Sequence, residues 1–125
     1  MKTKGQLEAE ISDAIIRFEK EYMGRGPTET RSFLLEDMVV VRLRGVLTPA
    51  EQQLILGANP DRGRQLVKQM RTELIENART LLEAVVSGIT ARRVISLHTD
   101  ISTARSERVI LFILDGKPEY LERER

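Results

Sequence analysis

Met38-Val39-Val40-Val41-Arg42-Leu43-Arg44 decides the fold. β-branched residues lead the stretch and an alternation of arginine with leucine closes it, the pattern of a strand with one apolar and one mixed side. Successive side chains of a strand point to opposite faces. Val39, Val41 and Leu43 therefore share one face, and Met38, Val40, Arg42 and Arg44 share the other. The apolar side requires a covering layer. Just upstream, residues 29–36 read as a partner strand, joined to 38–45 by a tight turn at Glu36-Asp37.

A second strand pair is expected near the end of the chain, over 92–101 and 107–114, bridged by the polar run Ser102-Thr103-Ala104-Arg105-Ser106 and stopped at Asp115-Gly116. In the first of these strands Ile95, Leu97, Thr99 and Ile101 are expected to oppose Val94, Ser96, His98 and Asp100.

Helices supply the covering layer. Over residues 3–23, Leu7, Ile11, Ala14, Ile15, Phe18 and Tyr22 recur at three- and four-residue steps, and Gly24, Gly26 and Pro27 end the run. Thr48-Pro49-Ala50-Glu51 is a capping box with proline at the first helical position, starting a short helix that stops at Gly57. Asn59-Pro60 opens a longer helix by the same logic. Its stripe is expected to run through Val67, Met70, Leu74, Ala78, Leu81, Val85 and Ile89, widened by Leu66, Ile75, Leu82 and Val86, and to close at Gly88. A stripe this broad implies burial on two sides, by sheet and first helix or by a second subunit.

The expected architecture is α+β in the order α-β-β-α-α-β-β: a four-stranded, mainly antiparallel sheet with two long helices packed on one face. With 125 residues, 41% hydrophobic and 31% charged, the chain is one domain over 1–116, followed by a charged tail over 117–125 expected to be partly disordered. Twenty basic and nineteen acidic side chains leave a formal charge of +1, so no global field calls for nucleic acid or an anionic membrane. Cysteine is absent, which excludes disulfides and thiolate chemistry. No signal-peptide core follows the basic start. The longest aliphatic-aromatic run, Val109 to Leu114, is far short of the ~20 residues that span a bilayer. These features fit a cytoplasmic protein.

Candidate sites are few. The mixed sheet face collects Arg42, Arg44, His98 and Asp100, and it is either plain solvent surface or a dimer or ligand face. His98, the only histidine, can form an oriented pair with Asp100, although residues two apart on a strand start about 6.5–7 Å apart and no nucleophile elbow is present. Arg62 and Arg64 fall in the first turn of the longer helix, where cations are unfavourable unless an anion binds there or they reach back to Asp61, Glu51 or a partner subunit. One histidine and scattered carboxylates make no metal site, and no nucleotide-loop or cofactor fingerprint occurs. Fifteen of the twenty cations are arginine, several of them beside strands, but with three Phe and two Tyr the stacking platforms of a nucleic-acid binder are missing.

Taken in order, Gly26-Pro27-Thr28, Met38-Val39-Val40-Val41, Leu47-Thr48-Pro49-Ala50-Glu51, Gly63-Arg64, Val67, Arg71 and the segment from Gly88-Ile89-Thr90 to Asp100, ending in Val109 to Leu114, carry a likeness over roughly residues 5–115. The sequence resembles the MpsC family of bacterial domains. That resemblance implies an association with a Na+-translocating, membrane-potential-generating system and with membrane proteins linked to inorganic-carbon supply. It transfers no catalytic residue, and any such role for this chain would be peripheral or regulatory. The resulting expectation is a non-enzymatic homodimeric binding or accessory module without cofactor, joined through a long helix or the mixed sheet face. A small-anion or nucleotide-phosphate sensor is the alternative, ahead of a nucleic-acid-binding protein or an enzyme.

Overall fold

The computed structural model describes residues 1–122. Its elements are α1 (Lys4–Met23), β1 (Glu29–Leu35), β2 (Met38–Arg44), α2 (Pro49–Leu56), α3 (Pro60–Thr90), β3 (Val94–Ser102) and β4 (Glu107–Leu114). The chain is of the α+β class, in the expected order. The sheet runs β1-β2-β4-β3 with every neighbouring pair antiparallel. Two hairpins thus lie side by side, with β2 and β4 central.

Local chemistry explains the boundaries. Thr3 and Gln6 form a reciprocal capping box at the start of α1, and Gly24 at φ 82 closes that helix in the left-handed conformation. Thr48 and Glu51 do the same for α2, and Asn59 caps α3 by accepting from the Arg62 amide. The β1–β2 turn is two residues long. Glu36 takes φ 56 there, a conformation more often given to Gly or Asn. Gly45 at φ 66 has the Thr28 side chain where a Cβ would stand, 2.3 Å away.

The core lies between the helices and the sheet. Val39, Val41 and Leu43 of β2 and Ile110, Phe112 and Leu114 of β4 are buried under Ile11, Ile15 and Phe18 of α1 and Val67, Ile75, Ala78, Leu82 and Val86 of α3. Each large aliphatic side chain removed from water in this way contributes roughly 1.5–3 kcal/mol before entropy opposes it. α2 is tucked against the first turn of α3. Gly63 permits the approach, since a Cβ there would stand 1.9 Å from the Leu54 carbonyl oxygen.

Three local expectations are corrected. A β-bulge between Val94 and Ser96 inserts Ile95 as an extra residue, so Val94 turns inward and Ile95 is exposed, the reverse of strict alternation; Leu97 and Ile101 stay buried. The buried stripe of α3 passes through Val67, Arg71, Ile75, Ala78, Leu82 and Val86, leaving Met70 and Leu81 exposed. That helix also continues past Gly88 to Thr90, where Ala91 at φ 55 caps it.

After β4 the chain returns to the start of α1. Pro118 is buried, Tyr120 packs against the core, and Leu121 forms a parallel bridge with Thr3. Of the tail expected over 117–125, residues 123–125 lie outside the described residues.

Candidate functional site

With both long helices on one face, no described helix covers the other face of the sheet. Strand register orders its side chains in rows. Leu35, Met38 and Ile113 form one row and Phe33, Val40 and Leu111 the next, with His98 at the β3 end of the latter. Phe33 and Leu35 are 40% and 48% exposed, and Ile95 and Val109 extend the apolar surface. An apolar area of this kind on an uncovered sheet is a recognised mark of an interaction surface.

The rows toward the far end are charged. Arg31 pairs with Arg42 across β1 and β2, Glu29 with Arg44, and Arg44 in turn with Glu107 of β4. Arg42 donates through Nε to Glu107 Oε2 at 2.9 Å and places Nη2 2.8 Å from the same oxygen, while Arg44 Nε lies 3.8 Å from it. Arg105, from the β3–β4 turn, completes an open groove of about 280 Å³ lined by Arg42, Arg44, Arg105 and Glu107. Three guanidiniums face one carboxylate there. The opposite end of the face carries the exposed Glu36-Asp37 turn. Along the β1–β2 hairpin the face is therefore polarised: acidic turn, apolar middle, and an end where Arg31, Arg42 and Arg44 outnumber Glu29, with Glu107 of β4 beside them.

The sequence-derived candidates separate. Arg42 and Arg44 come together in the groove. His98 lies beyond β4 at the edge of the sheet, with Nε2 3.2 Å from Ser96 Oγ. Asp100 turns away from it, accepting from the Ile101 amide and lying 3.8 Å from Lys68 Nζ of α3. Arg64 folds back onto Asp61 one turn earlier, and Arg62 is exposed at the helix start.

The sequence reading missed a buried charge network under the sheet. Arg71 of α3 is 1% exposed. Its Nε and Nη2 each lie 2.8 Å from one oxygen of Glu51, its Nη1 donates to Glu19 Oε1 at 3.1 Å, and Nη2 also reaches the Val46 carbonyl at 2.7 Å. Arg108 of β4, also buried, places Nη1 3.7 Å from Glu19 Oε2, an oxygen without a hydrogen-bond partner among the described residues, and donates through Nε to Thr99 Oγ1 at 3.2 Å. α1, α2, α3 and β4 are thereby tied together.

The electrostatics follow from the pairing. Burial alone would raise the Glu51 carboxyl, but hydrogen bonds from Arg71 and Thr48 hold it below the usual carboxylate range. Burial would likewise lower Arg71, and Glu51 and Glu19 together keep it above its ordinary value. Arg108 lacks a matched partner; burial, with the repulsion of Arg71, outweighs the attraction of Glu19 and brings it down to about 10. This network is a fold-holding node. Between α1 and α3 a smaller, mainly apolar groove of about 180 Å³ includes the exposed Tyr22 and Leu81.

Fold and surface together define a small α+β scaffold with one covered and one open sheet face. The chain belongs to the MpsC family, described as a Na+-translocating membrane potential-generating system, whose model matches residues 3–116. It is 42% identical over 113 residues to the uncharacterized protein YbcI of Bacillus subtilis (strain 168), covering 90% of this chain and 89% of that one. It is 29% identical over 110 residues to the uncharacterized protein YrhF of the same organism, covering 86% and 87%. No solved structure matches the chain.

Proposed function

We propose that this chain is a non-enzymatic, homodimeric binding and accessory module, and that the open sheet face is its docking surface. The observation that carries the reading is the apolar strip of Phe33, Leu35, Met38, Val40, Leu111 and Ile113 across an uncovered sheet. The family's description supports an accessory role beside a Na+-translocating system. Among the described residues no helix is long and apolar enough to cross a membrane, so the association is proposed as peripheral. His98 and Asp100 engage different partners, which favours binding over catalysis. Light scattering on the purified chain at tens of micromolar tests the reading: a dimer mass is expected, and a monomer mass across the concentration range refutes it.

A second reading, a small-anion or nucleotide-phosphate sensor, is favoured by the excess of arginine over carboxylate in the Arg42, Arg44, Arg105 groove rather than by Arg62 and Arg64. A thermal-shift series with inorganic phosphate and nucleotides tests it. Stabilisation lost in Arg44→Ala supports it, and a flat series rejects it.

A further inference from the structure

We infer that the second copy docks with its strands reversed, about a two-fold axis lying along the Phe33–Val40–Leu111 row, so that the Glu36-Asp37 turn of each copy covers the Arg42 and Arg44 end of the other. This arrangement rests on the dimer proposed above and specifies its partner surface.

The polarity of the face is what selects it. At about 3.3 Å per residue, Asp37 lies roughly 10 Å from Val40 toward one end of β2 and Arg44 roughly 13 Å toward the other. A two-fold axis across the strands at Val40 therefore exchanges these ends, setting acid over base twice while Phe33, Val40 and Leu111 meet their own equivalents. An axis running along the strands would instead set arginine against arginine and carboxylate against carboxylate. Like charges at close range in a partly dry interface are strongly disfavoured. The self-complementary solution is also the isologous one that two-fold dimers require. Four strands about 4.8 Å apart and about seven residues long give a flat footprint of only roughly 450 Å² per copy. The association is accordingly reversible, of the small-interface class.

Charge reversal in two variants tests the arrangement. Glu36, Asp37, Arg44 and Arg105 are all exposed, so Glu36→Lys/Asp37→Lys and Arg44→Glu/Arg105→Glu leave the core intact, which far-UV circular dichroism verifies. In sedimentation velocity each variant alone is expected to lose self-association by about tenfold or more, because both contacts become repulsive. An equimolar mixture is expected to regain the dimer, because both contacts become attractive again. Variants as dimeric as the wild type, or a mixture that stays monomeric, overturn the arrangement while leaving a wild-type dimer standing. A monomeric wild type at the same concentrations overturns the dimer itself.

Discussion

Arg71 forks onto Glu51, two guanidinium nitrogens each 2.8 Å from one carboxylate oxygen, in a site where both side chains are almost wholly buried. Glu51 also accepts from the Thr48 amide at 2.9 Å, so one carboxylate caps α2 and fastens it to α3. A charge pair in this setting adds little net stability over an apolar filling, but breaking it leaves the survivors uncompensated.

Removal of Arg71 is therefore expected to be severe. Arg71→Ala leaves Glu19 and Glu51 buried without their shared partner and should cost about 3–5 kcal/mol, read as a shift in urea midpoint. Arg71→Lys, which cannot fork, should fall between the two.

The same pair sets an acid limit. Because the folded-state Glu51 carboxyl lies below its ordinary value of 4.5, the stability it contributes is fully present above that pH and is lost as pH falls through the folded value. Urea midpoints measured from pH 7 down to pH 3 should decline on the acid side, and Glu51→Gln should be less stable at pH 7 with a flatter acid limb.

Two glycines of α3 should respond oppositely to alanine. At Gly63 a Cβ runs into the Leu54 backbone, so Gly63→Ala should displace α2 and cost about 1–3 kcal/mol. At Gly88 a Cβ meets nothing within 4 Å and the backbone is helical, so Gly88→Ala should stabilise by about 0.5–1 kcal/mol. Thermal melts of the two variants compare them directly.

Much of the fold was legible because its signals are local. The alternation of residues 38–44 states which side is covered, and the Thr48-x-x-Glu51 cap fixes the start of α2 within a residue. The bulge at Ile95 had no such signal, since isoleucine suits a regular strand equally well. The buried network left a trace that periodicity rules pass over: Glu19 continues the Ile11, Ile15 series of α1, and Arg71 sits midway between Val67 and Ile75 in α3. Opposite charges inside the apolar stripes of two facing helices imply that they meet. The grouping of Arg105 with Arg42 and Arg44 depends on β2 pairing with β4, a contact between distant segments that no local pattern announces.

Sedimentation equilibrium of the wild type beside Phe33→Asp and Leu81→Asp bears most directly on the docking surface. A reversible wild-type dimer that Phe33→Asp abolishes and Leu81→Asp leaves unchanged is the expected result. A dimer lost only in Leu81→Asp would move the interface to the groove between α1 and α3, and a wild-type monomer would contradict the account outright.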